Sequence, residues 1–358
     1  MPTFKYIHPQ FKFRGIHFNK EGLLELAYNF VKEGKPYQQS IGRFLLDWLN
    51  PDFTIKLQTS GSTGKPKLVE MEKQAMVNSA LATGTFFGLQ PDYKTLLCLP
   101  THYIAGKMML VRAMVLGLEL DDIEPSTQLK IDTATKYKFS AMVPIQLEKS
   151  LSNCDNIETI IVGGAAVSEV LKNQLKHLKT NVYETYGMTE TVSHIALKKL
   201  NNFKTSKVKP QVFKVLPNIF ISLDDRNCLV VEAPQLSKDK IITNDVVKLH
   251  SKTEFEWLGR FDNVINSGGI KLFPEQIEAK LQHKISTRFF IASQPDTIFG
   301  EKLILVVENS ENNIKNHVFS VLEKFEKPKV VYNVEAFVET PSGKIKRKET
   351  LKKVLKAL

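Results

Sequence analysis

Between residues 53 and 187 short apolar runs alternate with longer amphipathic stretches, and this alternation narrows the fold more than any other property of the chain. FTIKLQTS, TLLCLP, FSAMVP, TIIVGGA and NVYETYG read as strands. Helices are expected from about Lys73, from about Ala105, in a short piece after FSAMVP, and over SEVLKNQLKHL. Strands separated by helices line up parallel, because each crossover returns the chain to the same end of the sheet. Sheets of this kind bind ligands beyond the carboxyl ends of their strands. The polar, glycine-containing loops after the first and last of these strands are therefore where chemistry is first expected.

From about His194 to Leu258 the texture changes to short β-rich segments, NIFISLDD, NCLVVEAP and VVKLH, which read as an antiparallel β subdomain. After GRFDN come a helical FPEQIEAKLQHK, the strand-like TRFFIAS and KLILVVEN, and a final helix. The expected fold class is α/β: a large N-terminal domain over residues 1–261 with parallel-type sheets and a β subdomain, then a small mobile α+β C-terminal domain over residues 262–358. A chain of 358 residues can bury most of its apolar surface without a disulfide or structural metal.

Three cysteines, Cys98, Cys154 and Cys228, are widely spaced and form no C-x-x-C pair, which suits a reducing cytoplasm. MPTFKYIHPQFKFRG lacks the apolar core of a signal peptide, and no stretch reaches the ~20 apolar residues of a membrane span. A soluble, unprocessed cytoplasmic protein is expected. Lys plus Arg is 49 against 38 Asp plus Glu, a net charge of +11 that favours anionic partners. Basic residues interleaved with aromatics, as nucleic-acid binding would require, are not seen. The densest basic run, Lys344 to Lys356, reads as a solvated helix face apart from Lys344.

TSGSTGKPK packs hydroxyls, glycines and lysines directly after a strand: Thr59, Ser60, Gly61, Ser62, Thr63, Gly64, Lys65 and Lys67. Glycines let backbone N–H groups approach an anion, hydroxyls add donors, and lysines add charge, so the composition suits a polyphosphate. It is not a Walker A loop, because Thr59 stands where the first glycine belongs and Pro66 where magnesium's hydroxyl belongs.

This loop resembles the signature of the AMP-binding, adenylate-forming family of acyl-CoA synthetases, luciferases and peptide-synthetase adenylation domains. Four further strings resemble that family's motifs in order: VGGAA (Val162 to Ala166), YETYGMTE (Tyr183 to Glu190), GRFDNVINSGG (Gly259 to Gly269) and PSGKIKR (Pro341 to Arg347). Together they span about four-fifths of the chain. The resemblance implies an enzyme that joins a carboxylic acid to ATP as acyl-AMP and passes the acyl group to a thiol. ATP, Mg²⁺ and coenzyme A are the implied co-substrates and cofactors. A carrier-protein thiol is the alternative acceptor, and a catalytically inactive nucleotide-binding regulator the alternative outside enzymes. Homo-oligomerisation is left open.

The resemblance also distributes roles. Gly163, Gly164 and Ala165 would lie against adenine. Tyr186 would offer an aromatic face with Gly187 beside it, Thr189 a donor to the α-phosphate, and Glu190 a carboxylate for magnesium. Asp245 would accept from both ribose hydroxyls, with Asn244 where glycine is usual; a surface-turn aspartate is the alternative. Arg260 is either a second ribose partner or a structural ion pair. Asp262 would be the hinge about which the C-terminal domain swings, and Lys344 would offset charge as the acid attacks the α-phosphate. Glu339 stands where many relatives carry arginine, which leaves the packing of the lysine loop open.

Acyl-side candidates come from LPTHYIAGKMMLVRAM and the residues after YGMTE. Arg112 lies in a helix otherwise built from Met108, Met109, Leu110, Val111, Met114 and Val115, and a charge in that setting needs a partner. Either the free carboxylate of a dicarboxylic substrate or a protein Asp or Glu could supply it. His102, Ser193 and His194 are further candidates. LPTHYIAG, VPIQL, VGGAA, YGMTETVSH and SGGIKLFPEQIE, taken together, are most similar to the family's o-succinylbenzoate–CoA ligase branch of menaquinone synthesis. About 58 residues precede the phosphate loop, where that branch usually carries a longer N-terminal subdomain.

Overall fold

The computed structural model describes residues 2–59, 67–203, 212–309, 314–339 and 345–356. Its centre is a thirteen-stranded sheet. Six strands run parallel side by side: Lys12–Phe13, Glu119–Asp122, Lys94–Leu97, Tyr137–Met142, Ile157–Val162 and Asn181–Gly187. Beyond Asn181–Gly187 the direction reverses, and His194–Lys199, Phe213–Val215, Glu254–Arg260, Ile241–Ser251, Cys228–Glu232 and Phe220–Leu223 continue the same sheet antiparallel. The expected antiparallel region is thus hydrogen-bonded to the parallel one rather than standing apart.

One expectation is corrected. FTIKLQTS does not join the parallel sheet: Thr54–Thr59 pairs antiparallel with Lys67–Glu72 as a separate two-stranded ribbon. The string between them is rich in glycine and hydroxyls, so the strand could return along itself without a helical crossover. Helix Lys73–Phe87 follows directly, and its first residue fixes the ribbon's base. Lys73 is fully buried, and its ammonium donates to Trp48 O at 3.0 Å, Asn50 O at 3.2 Å and Asn50 Oδ1 at 2.7 Å. Three N–H donors thus meet three oxygens. The first fifty residues add the paired helices Lys20–Glu33 and Pro36–Leu49, which bury Leu23, Phe30, Ile41, Phe44 and Trp48. Each such large apolar side chain contributes roughly 1.5–3 kcal/mol.

Residues after Phe261 form a second sheet of Ile270–Leu272, Ile265–Ser267, Gly300–Glu308, Phe289–Asp296 and Val330–Val334, with helices Pro274–Leu281 and Arg347–Lys356. The apolar clusters divide at the same place. Those of the large sheet contain residues up to Phe255, and those of the second sheet begin at Ile265. Among the described residues no helix is long and apolar enough to cross a membrane.

Candidate active site

Two loops project from the carboxyl ends of the neighbouring parallel strands Ile157–Val162 and Asn181–Gly187. In the first, a Cβ on Gly163 would lie 2.2 Å from Thr185 Oγ1, so a larger residue would have to displace that hydroxyl from its bond to Val162 O. Gly164 follows with φ +84°, and Gly164 and Ala165 are exposed at the loop's tip. Gly187 ends the second strand opposite His194, where a Cβ would fall 2.4 Å from Ser193 O. The backbone therefore turns back on itself within a few residues. Thr189–Thr191 makes a single 3₁₀ turn, pinned by Met188 N–H donating to Thr191 Oγ1 at 3.0 Å. Glu190 is exposed and has no hydrogen bond or ion pair among the described residues.

Val192 completes the reversal in an unfavourable backbone conformation, φ 65° and ψ −57°, with Ser193 N–H donating to Thr191 O at 2.7 Å. This is the γ-turn of the rarer hand. For a β-branched residue such a conformation costs of order 1–3 kcal/mol and persists only when the surroundings impose it. Here the buried side chain of Val192 packs into the main core.

Around the Asp245 carboxylate the structure assembles three donors. Tyr186 Oη donates to Oδ2 at 2.7 Å, Trp257 Nε1 to Oδ1 at 3.1 Å, and Arg260 approaches Oδ1 at 3.5 Å. The Asp245 N–H donates to Thr243 Oγ1 at 3.0 Å. Asp245 and Arg260 are direct partners on paired strands, which places both side chains at one point of the sheet. Tyr186 is held from behind by Phe255 and Phe213, with ring centroids at 5.2 and 5.8 Å. Burial, reinforced by Asp245, raises the Tyr186 phenol far above its ordinary range, so it stays a donor. Asp245 is therefore buried and structured rather than a surface-turn residue, with lone pairs left to accept further donors.

Asn244 also departs from expectation. It lies in the extended strand Ile241–Ser251 and needs no left-handed backbone. Its side chain instead accepts from Arg226 at 2.8 Å and donates to Asp262 at 3.4 Å. Arg260 reaches Asp262 as well, at 3.7 Å.

Residues 47–233 match the family described as AMP-binding enzyme. The chain belongs to that family. A solved acyl-CoA synthetase (AMP-forming)/AMP-acid ligase II-like protein from Dyadobacter fermentans is 36% identical, with a TM-score of 0.62 over 92% of this chain and 98% of that one. The o-succinylbenzoate coenzyme A synthetase of Bacillus subtilis, solved with ATP and magnesium, shares the fold at 19% identity and a TM-score of 0.70, over 83% and 69% of the two chains. The 2-succinylbenzoate–CoA ligase of Lactococcus lactis is 24% identical over 85% of this chain and 72% of its own length. Its counterpart from Haemophilus influenzae is 27% identical over 81% and 68%. The resemblance read from the motifs is borne out.

In this AMP-binding enzyme the acyl-side candidates separate. Arg112, in helix Ile104–Leu116, is 2% exposed. Its single hydrogen bond among the described residues goes to Met109 Sδ at 3.8 Å, and Nε has none. Burial pulls the guanidinium down to about 9, still charged at neutral pH, and no carboxylate acts against that shift. Ser193 Oγ lies 2.6 Å from Ser79 Oγ, and His194 Nε2 lies 3.4 Å from Thr83 Oγ1. His102 is placed elsewhere, exposed in the loop before the Arg112 helix and beside the Tyr103 ring at 4.1 Å. Burial and Lys107 both lower its pKa.

Ser60 to Pro66, which includes most of the phosphate loop, and Lys344 lie outside the described residues. The flanks of the lysine segment are anchored. Glu339 pairs with Arg288, so a charge pair fills the position left open by the missing arginine. Arg347 donates to Glu278 at 2.7 Å, and Glu278 also accepts from Ile291 N at 2.8 Å.

Three contributors escaped the sequence reading: Trp257, Ser79 and Thr83. Trp257 could have been found only from the strand register that brings it near Asp245. Ser79 and Thr83 did carry a signal, two hydroxyls four residues apart on one face of a largely apolar helix.

Proposed function

We propose that this chain is an ATP-dependent acid–CoA ligase that activates o-succinylbenzoate as its acyl-AMP and transfers the acyl group to coenzyme A. The observation that carries the substrate is Arg112, a buried guanidinium with no carboxylate partner among the described residues. An acid with two carboxylates supplies what is missing: one reacts while the other pairs with Arg112. The named relatives from Lactococcus and Haemophilus support the same acid.

In this reading the Asp245 cluster receives the ribose, with Arg260 at its rim. The acid's reacting carboxylate attacks the α-phosphorus, the bond to the β-phosphate breaks, and pyrophosphate leaves. The thiolate of coenzyme A then attacks the acyl carbon and AMP departs. Magnesium, when bound, neutralises phosphate charge. Glu190 would hold it, since one exposed carboxylate together with phosphate oxygens and water suffices for that ion. Lys344 would stabilise the charge that builds during adenylation, and the segment after Phe261 would turn about Asp262 between the two half-reactions.

The test is pyrophosphate release with ATP and magnesium across a panel of acids, with coenzyme A or a carrier-protein thiol as acceptor. Turnover with o-succinylbenzoate and appearance of its CoA thioester are expected. Turnover only with other acids, or only onto a carrier, would remove the substrate or the acceptor while leaving the ligase chemistry. No product with any acid would leave a nucleotide-binding regulator. Lys344→Ala is expected to abolish acyl-AMP formation while sparing transfer from supplied acyl-AMP; equal loss in both steps would count against its role.

A further inference from the structure

A cavity of about 430 Å³ opens where the two sheets meet, and its lining shares no residue with those assigned to ATP or the acid. Leu223, Leu249, Leu258 and Phe261 wall it from the large sheet and its last turn, and Val264 and Phe273 from the start of the second. A space of this size, mostly apolar with a few polar groups, has the character of a small-molecule pocket. Phe261 is tied to the large sheet. Arg226 lies over its ring, 5.1 Å from the centroid, and that guanidinium also donates to Asn244 Oδ1 at 2.8 Å and pairs with Asp224 at 2.7 Å. The cavity therefore straddles the connection at Asp262, with one wall on each side of it.

No acidic side chain lines this cavity, but three cations do. Arg226 is already paired. Lys248, on strand Ile241–Ser251, and Lys271, on Ile270–Leu272, are not: among the described residues neither ammonium has a hydrogen bond or ion pair. Glu256, the direct strand partner of Lys248, turns to His250 at 3.3 Å instead. One unpaired lysine thus comes from each sheet. Both are exposed, so exchanging either leaves the packing of the core untouched. Two ammoniums lining one apolar cavity repel each other across the junction, and an anion between them turns that repulsion into attraction. A ligand with an apolar body and one anionic group would bury the body against the leucine and phenylalanine side chains and place its charge between the lysines.

We propose that this cavity is a second binding site, for a small amphipathic anion of the aryl or acyl carboxylate class, held by Lys248 from one sheet and Lys271 from the other. An occupant touches both walls, so it binds well only while the two sheets keep this arrangement, and by linkage it stabilises that arrangement. The site itself is independent of the ligase reading. Its effect on turnover rests on the proposed swing about Asp262: a chain held in one arrangement completes the half-reaction that uses it and stalls before the other. Full turnover is therefore inhibited in a way that more ATP or more acid does not relieve, while at most one half-reaction is inhibited when each is measured alone.

The probe is 8-anilinonaphthalene-1-sulfonate, its sulfonate standing in for a carboxylate, compared with N-phenyl-1-naphthylamine, the same body without the charge. Both brighten on entering apolar surroundings, so binding is titrated by fluorescence. The wild-type chain is expected to bind the sulfonate about tenfold tighter than the neutral amine, and Lys248→Glu and Lys271→Glu each to lose that margin. Equal binding of the two probes, or a margin unchanged in both variants, would overturn the site. Thioester formation from ATP, o-succinylbenzoate and coenzyme A tests the consequence: at a sulfonate concentration that saturates the wild type, its turnover should fall about fivefold or more, and that of Lys248→Glu should be spared. Lysine-dependent binding without inhibition would keep the site and overturn its action through the hinge. Turnover without any probe reports on the ligase reading separately.

Discussion

Two cations are buried among the described residues, Lys73 and Arg112, and they are treated in opposite ways. Lys73, at the base of the Thr54–Thr59 ribbon, is enclosed by three oxygens that match its three donors. Arg112, on the helix packed beside it, hydrogen-bonds among the described residues only to a thioether. Desolvation is costly in both places, but at Lys73 the fold supplies the compensation and at Arg112 it is withheld. A charge completed by the chain serves the structure; a charge left incomplete is available to something that binds.

The sharpest way to break this contrast is to remove each cation. Lys73→Ala should destabilise the chain by about 4 kcal/mol, because buried carbonyls lose their donors and packing is lost with them. Chemical denaturation would measure it, and a change under 1 kcal/mol would show that the cage is not structural. Arg112→Met should do the reverse, raising stability by about 1 kcal/mol as an unpaired charge leaves the core. It should also weaken o-succinylbenzoate about 100-fold, equivalent to ~2.7 kcal/mol, and benzoylpropionate, the same acid without its ring carboxylate, hardly at all. Destabilisation by Arg112→Met would mean that the guanidinium is already satisfied in the free protein.

Glu278 sharpens the comparison as an intermediate case: it is paired, yet burial still dominates. Burial lifts its carboxyl to about 7, against the opposing pull of Arg347. A carboxyl raised in the folded state contributes stability below its ordinary value near 4.5 and loses it as pH climbs toward 7. Unfolding free energy should therefore drop by about 2 kcal/mol between pH 4.5 and pH 7.5, and Glu278→Gln should flatten that slope. The smallest effect belongs to Trp257→Phe, which removes one neutral donor from Asp245. It should raise the KM for ATP about fivefold, or ~1 kcal/mol, without changing kcat.

The parallel strands, their crossover helices and the change to antiparallel pairing after His194 were legible because each depends on local periodicity. The pairing of Thr54–Thr59 with Lys67–Glu72 was not, since a buried strand reads the same whether it joins a sheet or a ribbon. Tyr186, Asp245 and Arg260, the residues proposed for the nucleotide side, stand in short recognisable strings. What those strings could not give was who holds whom: the donors on Asp245 come from strands far apart in sequence, and only the register joins them. Arg112 was conspicuous as a charge among apolar neighbours. Whether a protein carboxylate would reach it depended on packing, and among the described residues none does.

Val192 carries a last consequence. A glycine there would hold the turn at little cost and could also leave it, whereas Val192 is kept in it by the packing of its buried side chain. The backbone interval between Glu190 and Ser193 is therefore set as by a gauge block, pinned at both ends by the turn's own hydrogen bonds. Distances measured across it should stay constant while the surroundings breathe.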